Sequence, residues 1–421
     1  MITSQAGQQP ADFTDVRATN LAVVLRYIRA NAPCSRATIA ASTGLNKATV
    51  SSLVAELIDR RLLRETGLTE NRIGRPATML VLDGAAYAAI GLEVNTDHLT
   101  VVAIDLAGER LLSWRRAFAG RRSSPARAVT AVAALARRAV TKVLAEGREV
   151  LGLTVGVAGL VGAGGVVRLA PNLGWRDVKL RDALVQALDE PDYPVEVENE
   201  ANLAARAEFR YGADAGVANL VYLNGQAGVG AGIIADGQLL RGGLGYSGEI
   251  GHVRVSPGGP GRDEALCGCG RRGCLEAVAG IRALVARVGT GPDPEDLEPE
   301  VEDIVRRARS HEPVVVTALR EVGEHLGHAV ALLSNVVNPQ VVVLGGYFVP
   351  LGPWLMSAAE SGLRAGSVAP DAGGCRLTAS ALGQVAAAIG GAASILDAVD
   401  AGTLPVPTRT HPPVRASIGT S

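Results

Sequence analysis

Apolar and polar positions follow two different rhythms along the chain, and the rhythm changes near residue 84. Before that point, residues 15–82 have the apolar spacing of short helices, followed by a short hairpin. After it, apolar runs interrupted by glycine alternate with alanine-rich stretches, as in buried strands covered by helices. The predicted strands are 88–94, 99–105, 152–158, 195–198, 218–223, 231–235 and 341–344, and the predicted helices are 126–146 and 315–338.

Strands mixed with helices over this length predict an α/β protein with two lobes. The chain has 421 residues, enough for a small N-terminal domain and a larger second domain with cores of its own. The two ends differ from both domains. Residues 1–14 are mostly polar, and residues 401–421 are rich in proline and threonine, so we expect both ends to be disordered.

The segment 35–54 has the pattern of a helix-turn-helix. Gly44 stands at the turn, where a positive φ costs little only for glycine, and Asn46 can cap the second helix. The apolar residues that would pack these two helices against a third, over 21–30, are Ile39, Ala40, Leu45, Val50, Leu53 and Leu57. Side chains at the exposed start of such a helix contact phosphates and base edges in the major groove of DNA. The predicted DNA contacts are Arg36, Asn46, Lys47, Thr49, Ser51 and Ser52.

A hairpin follows and completes a winged helix. Residues 62–65 and 72–82 have the pattern of its two strands. Arg75 lies between Gly74 and Pro76 on a stiff turn, where it can enter the minor groove of DNA. Arg72 is a further predicted DNA contact. A small helical interaction module is the alternative for these N-terminal helices, and the hairpin makes it the weaker one.

The charge distribution agrees with a DNA-binding N-terminus. The whole chain has a net charge of −1, but residues 11–82 contain ten Arg or Lys against six Asp or Glu, and the rest contains 31 against 36. Affinity for nucleic acid is therefore expected at the N-terminus. With 48% hydrophobic and 20% charged residues, the composition is that of a globular protein. Because the sequence has no signal-peptide pattern and no apolar run of about 18 residues, we expect a cytoplasmic protein with no membrane partner.

Three of the five cysteines lie within eight positions, and a histidine precedes them. In a reducing compartment, such a cluster more often holds metal than forms disulfides. His252, Cys267, Cys269 and Cys274 offer one imidazole and three thiolates, a closed tetrahedral set that leaves no position for catalysis. We therefore predict one structural zinc ion per chain. Cys34 and Cys375 stand alone in the sequence and are expected to be small core residues.

The same region resembles a known family signature. Gly248-Glu-Ile-Gly-His252, followed by Cys267-Gly-Cys-Gly-Arg-Arg-Gly-Cys-Leu-Glu276, is similar to the ROK family of repressors and sugar kinases. The resemblance spans nearly the whole chain, since other motifs of the family follow in its order. They are Gly156-Val-Ala-Gly159, Pro171-Asn-Leu-Gly-Trp175, Glu198-Asn-Glu-Ala-Asn202 and Asn338-Pro-Gln-Val-Val-Val-Leu-Gly-Gly346.

The resemblance implies a fold and a division of the chain. A winged helix-turn-helix over 15–83, as in the repressor branch of the family, would precede an actin-like, sugar-kinase-like (ribonuclease H-like) α/β domain over 85–400 with a zinc-binding loop. One lobe would contain 85–198 and a C-terminal helix over 380–399, and the other lobe 199–379. The family also implies a homodimer or homotetramer.

The resemblance further implies a monosaccharide site between the lobes. The residues that match it are Asn172, Asn199, Glu200, Glu249, His252 and Glu276. Carboxylates and amides suit a polyol, which needs several fixed hydrogen-bond partners. His252 would have two roles, with one ring nitrogen on zinc and the other facing a sugar hydroxyl.

The phosphate-handling positions depart from those of the family's kinases. The Asp-x-Gly-x-Thr motif is replaced by Glu93-Val-Asn95-Thr-Asp97, Ala227 removes a hydroxyl from the second phosphate loop, and Glu200 replaces the catalytic Asp. Phosphoryl transfer needs all three elements, so we predict no catalytic residue. The expected protein is a sugar-responsive regulator, a repressor in the first instance, that binds a double-stranded operator. A sugar kinase that also binds DNA is the alternative. Xylose is a candidate effector, glucose and N-acetylglucosamine stay open, and so does whether the sugar releases or promotes DNA binding.

Overall fold

A computed structural model describes residues 13–68, 78–255, 265–289, 295–371 and 374–404. Its N-terminal part contains the predicted helix-turn-helix. The elements are α1 (Phe13–Asn31), β1 (Cys34–Ser35), α2 (Arg36–Thr43) and α3 (Lys47–Asp59). Gly44 ends α2 with φ of 74°, and the Asn46 side chain accepts a 2.8 Å hydrogen bond from the Thr49 amide at the start of α3. Both sequence predictions about this turn are confirmed.

The wing is also present. Strands β2 (Leu63–Leu68) and β3 (Thr78–Leu82) pair antiparallel, and β1 pairs with β3 on its other side. Residues 69–77, which include Arg72 and Arg75, lie outside the described residues. The expectation of disorder over 1–14 fails at Phe13 and Thr14, which belong to α1, and residues 1–12 lie outside the described part.

The second domain begins with a five-stranded sheet in the order β11-β7-β4-β5-β6. A smaller three-stranded sheet, β10-β9-β8, lies beside it. The elements are β4 (Tyr87–Val94), β5 (His98–Asp105), β6 (Arg110–Ala117), α4 (Pro125–Ala145), β7 (Glu149–Val157), β8 (Leu160–Gly162), β9 (Val166–Ala170), β10 (Trp175–Lys179), α5 (Leu180–Ala187), β11 (Val195–Asn199) and α6 (Glu200–Tyr211).

A second five-stranded sheet follows in the order β14-β13-β12-β15-β16. In each large sheet, the first three strands form an antiparallel meander and the last two add in parallel, so the two lobes share one topology. The elements are β12 (Leu220–Gly225), β13 (Val229–Ala235), β14 (Gln238–Leu239), α7 (Leu275–Ala279), α8 (Ile281–Val288), α9 (Glu298–Arg309), α10 (Pro313–Val337), β15 (Val341–Gly346), α11 (Phe348–Gly366), β16 (Arg376–Ala379) and α12 (Ala386–Asp400).

The seven strands and two helices predicted from local patterns after residue 84 are present, with ends that differ by at most three residues. The helix predicted over 21–30 is longer and begins at Phe13, and the C-terminal helix that the resemblance implies over 380–399 begins later, at Ala386. The tail expectation needs one correction. Residues 401–404 continue from α12, because the amides of Thr403 and Leu404 donate to the carbonyl of Ala398 at 2.9 and 3.1 Å. Residues 405–421 lie outside the described part. Among the described residues, no helix is long and apolar enough to cross a membrane.

The winged helix and the second domain share a hydrophobic core. Leu25 and Ile28 of α1 belong to the same buried cluster as Tyr87 of β4 and Leu396 and Val399 of α12. A hydrogen bond also joins the two parts, since the Tyr87 hydroxyl of β4 donates to the Arg60 carbonyl at the end of α3 at 2.9 Å. The winged helix is therefore packed on the second domain.

Candidate functional site

One face of α3 is exposed and polar, while the other is buried. Asn46, Lys47, Ser51 and Ser52 are exposed and Thr49 is half-buried. The opposite face packs into the winged-helix core through Val50, Leu53, Val54 and Leu57. Of the other predicted DNA contacts, Arg36 forms an ion pair with Glu65 of β2 at 2.8 Å. The arrangement presents short polar side chains and one cation on a convex surface, as DNA-reading helices do.

The four predicted metal ligands converge. One ligand atom from each of His252, Cys267, Cys269 and Cys274 lies within 4.8 Å of the others. Cys274 immediately precedes α7, and a tight loop returns the chain to it, because the Cys267 amide donates to the Arg271 carbonyl at 2.8 Å. His252 Nδ1 is 3.5 Å from the sulfur of Cys267. Three thiols and an imidazole at this spacing can hold a tetrahedral metal ion.

The six predicted sugar-binding residues line one cleft of about 510 Å³ between the lobes. They are Asn172, Asn199, Glu200, Glu249, His252 and Glu276. Further polar side chains line this cleft that were not predicted as sugar contacts: Asn95, Thr96, Asn224, Gln226, Tyr246 and Arg271. Arg271 is exposed and belongs to the loop that carries the cysteines. Its place between two predicted ligands was the available signal.

His252 connects the metal group to the cleft. Its Nδ1 faces Cys267, and its Nε2 lies 3.8 Å from a carboxylate oxygen of Glu249. Glu276 also touches both sites, since one carboxylate oxygen lies 3.7 Å from the Cys267 sulfur and the other accepts from the Val229 amide at 3.3 Å. A change at either site therefore reaches the other through one or two side chains.

Asn199 has a structural task besides facing the cleft. Its side-chain oxygen accepts from the Asn202 amide at 3.0 Å and caps α6, and its Nδ2 donates to the Gly159 carbonyl at 3.0 Å. An amide nitrogen has two hydrogens, so one donor remains for a ligand.

Two carboxyl groups of the cleft, those of Glu200 and Glu249, have raised pKa values. Burial raises the pKa of Glu200 well above its usual value, and the nearby carboxylates of Glu93 and Glu249 raise it further. One oxygen of Glu200 is buried with no partner among the described protein atoms. Burial, followed by the charge of Glu276, raises the pKa of Glu249 to about 7. Protonated carboxyls can donate to sugar hydroxyls as well as accept from them.

The residues that the sequence matches to the phosphate-handling motif of the family's kinases contact other protein groups. The Asn95 side chain donates to Glu93 at 3.3 Å. Asp97 is buried and accepts from the Tyr347 hydroxyl at 3.0 Å and from the Leu297 amide at 3.3 Å, both in the other lobe. It also pairs with His98 Nδ1 at 2.6 Å. Burial works against ionisation of Asp97, but these hydrogen bonds outweigh it and lower its pKa.

A winged helix packed on a two-lobed, sugar-kinase-like domain defines a class of DNA-binding regulators that sense sugars. Residues 89–398 match the ROK family and residues 22–70 match the MarR family of winged helices. The chain belongs to the ROK family, and it is a sugar-responsive DNA-binding regulator of that family.

Individual relatives agree with this assignment. The chain is 30% identical to the xylose repressor of Bacillus subtilis over 387 residues, which cover 92% of this chain and 97% of the repressor. It is similar to the crystal structure of a ROK family transcriptional regulator, a homologue of the E. coli MLC protein, with 27% identity, a TM-score of 0.76 and coverage of 92% and 98%. It is also similar to a ROK glucokinase from Streptomyces griseus in complex with glucose and AMPPNP, with 28% identity, a TM-score of 0.61 and coverage of 73% and 98%.

Proposed function

We propose that this regulator is a repressor that binds a double-stranded operator and changes its affinity when a monosaccharide occupies the cleft, without phosphorylating the sugar. The observation that carries the proposal is the convergence of six polar side chains on one cleft of about 510 Å³ in a chain that also presents α3. A cavity of that size accommodates a single sugar ring with its hydration. The predicted DNA and sugar contacts are part of this proposal.

Xylose is the first effector to test. The similarity to the xylose repressor of Bacillus subtilis supports it, and Glu200 and Glu249 supply acceptors and donors for neighbouring hydroxyls. Glucose and N-acetylglucosamine are the next two sugars.

The contacts of Asp97 support sensing without catalysis. A carboxylate kept ionised by His98, the Leu297 amide and Tyr347 puts negative charge where a kinase would accommodate phosphate. Two negative charges that lie close together in a buried site repel each other strongly. A sugar kinase that also binds DNA is the second candidate, and the similarity to the glucokinase from Streptomyces griseus favours it. Sugar-dependent release of ADP would decide for the kinase.

The identity and the role of the bound metal form a second part of the proposal. We infer that the Cys3His group holds zinc as a structural ion, because thiolate and imidazole ligands suit zinc and four protein ligands close its coordination. Bound zinc would fix the imidazole of His252 and with it the ring edge that faces the cleft.

We also propose a homodimer or homotetramer in the cytoplasm, since paired winged helices read operator half-sites about one DNA turn apart.

The decisive experiment measures operator binding during a sugar titration. An operator selected from a random pool of double-stranded DNA would be labelled, and its binding followed by fluorescence anisotropy in the absence of nucleotide. A change of at least tenfold in the dissociation constant with one sugar is expected. If no sugar changes it, the sensor proposal fails.

A further inference from the structure

Helix α6 has its first residues in the cleft and its last turns at the junction with the winged helix. Asn199 caps the helix and Glu200 begins it, and both line the cleft. Arg206 and Arg210 lie near its other end. Twelve residues of α-helix are about 18 Å long. One rigid element therefore connects the ligand site to the DNA-binding unit.

The far end of α6 takes part in a group of five charged side chains, which we name the junction cluster: Arg29, Arg206, Arg210, Asp397 and Asp400. Arg206 donates to Asp397 at 2.6 Å, and Arg210 contacts both aspartates, reaching Asp400 at 3.2 Å. Arg29 of α1 donates to the other oxygen of Asp400 at 2.9 Å. Three elements, α6, α12 and α1, are joined by two aspartates.

Most of the junction cluster is removed from solvent. The side chains of Arg29, Arg210 and Asp400 are only 17%, 14% and 9% exposed. Salt screens such pairs much less than it screens surface pairs, and a buried arginine left without its carboxylate carries a large penalty. Asp400 therefore holds the three elements in their relative positions.

Backbone packing prevents α6 and α12 from sliding independently. A Cβ atom at Gly390 would lie 1.8 Å from the carbonyl oxygen of Leu203, so α12 lies directly on the backbone of α6. On its other side, Leu396 and Val399 of α12 belong to the core that includes Ile28 of α1. A shift of α6 is passed to α12 and then to the first helix of the winged helix.

We propose that the junction cluster is the coupling element through which the sugar cleft sets the orientation of the winged helix. The proposal rests on the proposed function. A ligand that hydrogen-bonds Glu200 displaces the start of α6, and the helix moves as one body. Arg210 and Arg29 share Asp400, so the displacement reaches α1 through two ion pairs. Small shifts at an effector site are converted in this way into rotations of a packed domain.

The test compares operator binding with and without sugar for Asp400→Asn in the full chain. The sugar is whichever of xylose, glucose and N-acetylglucosamine raises the melting temperature of the wild type most. The measured quantity is the ratio of operator dissociation constants with and without that sugar. In Asp400→Asn this ratio falls to within about twofold of one, while the sugar dissociation constant without DNA changes by less than about threefold.

Asp189→Asn is the matched control. It removes an aspartate that pairs with Arg137 at 3.0 Å, but on the surface, where the two side chains are 84% and 52% exposed. Its ratio should equal that of the wild type.

Arg29→Gln and Arg29→Lys guard against misfolding of Asp400→Asn. Gln removes the charge and abolishes the coupling, whereas Lys keeps the charge and retains part of it. If Arg29 instead contacted DNA phosphates, Arg29→Gln would weaken binding and reduce its salt dependence at an unchanged ratio, which would overturn the proposal. Folded Asp400→Asn or Arg29→Gln with the wild-type ratio would also overturn it. A wild-type ratio of one with every sugar would refute the proposed function itself, and the coupling role with it.

Discussion

Asp97 and Tyr347 are 250 positions apart in the sequence, and a hydrogen bond of 3.0 Å joins them across the two lobes. Arg115 contributes to the same group, donating to the Tyr347 hydroxyl at 3.2 Å and forming an ion pair with Glu298. Asp97 belongs to the segment that the sequence matches to the phosphate-binding motif of the family's kinases. The scaffold of a kinase is thus retained with an interlobe contact at this position.

Tyr347→Phe should destabilise the protein by about 1–2 kcal/mol at neutral pH, because buried Asp97 loses a hydrogen bond. Because the pKa of Asp97 is lowered in the folded state, ionised Asp97 stabilises the protein at pH values above its unfolded pKa of about 3.9. This stability is lost as the pH falls through the folded pKa. The effect of the substitution should therefore shrink towards pH 3. Urea unfolding across this pH range measures it. Tyr246→Phe at the open cleft is the control, and equal effects of both variants at all pH values would contradict the assignment.

Glu200→Gln should become more stable relative to the wild type as pH rises. Burial raises the pKa of Glu200, so the folded state keeps its proton longer than the unfolded state and wild-type stability falls above about pH 4. Above about pH 4 the variant should therefore gain stability relative to the wild type. It should also lose at least about tenfold in sugar affinity, since a carboxyl partner is missing. Glu196→Gln on the exposed side of β11 should show neither change.

The metal proposal predicts one zinc ion per chain by native mass spectrometry. Cys274→Ser should lose the ion, because it removes one of four converging ligands. Sugar affinity should fall about 10- to 100-fold with it, since His252 then loses its fixed orientation. Cys375→Ser, away from the group, should keep both. Full sugar affinity in a zinc-free Cys274→Ser protein would contradict the link through His252.

Lys47→Gln should weaken operator binding and reduce the slope of log affinity against log salt by about 1, as expected for one phosphate contact. Lys47 is exposed at the start of α3. Binding isotherms at four salt concentrations measure the slope, and Lys142→Gln on α4 is the control. An unchanged slope for Lys47→Gln would contradict the assignment of the start of α3 to the DNA interface. Arg72 and Arg75 stay predictions of the sequence, and the same assay applies to Arg75→Ala.

Local patterns predicted the winged helix, the buried strands of the second domain and two of its helices, α4 and α10, but not α5, α6, α7, α8, α9 or α11. The strands found in advance, such as β4 and β15, are buried on both sides and appear as apolar runs. Strand β6 was missed because it lies at the sheet edge, with arginines exposed along it. The short strands β8, β9 and β10 lack the length that makes a strand pattern clear.

Some contacts of the candidate site could be predicted from the sequence, and others could not. The metal group could be predicted because three of its ligands lie within eight positions. Asp97 was identified as a departure from the kinase motif, but its partners, Tyr347 and Leu297, come from distant segments that only the folded chain brings together. The junction between Arg29 and Asp400 spans 371 positions and has no local signal at all.

Sensing without catalysis is tested most directly by one titration. Wild-type protein, labelled operator and each of xylose, glucose and N-acetylglucosamine are combined without nucleotide, and then with ATP while ADP release is followed. We expect one sugar to change the operator dissociation constant at least about tenfold without ATP, and we expect no ADP with any sugar. An operator affinity that no sugar changes, or one that changes only while the sugar is being phosphorylated, would contradict it.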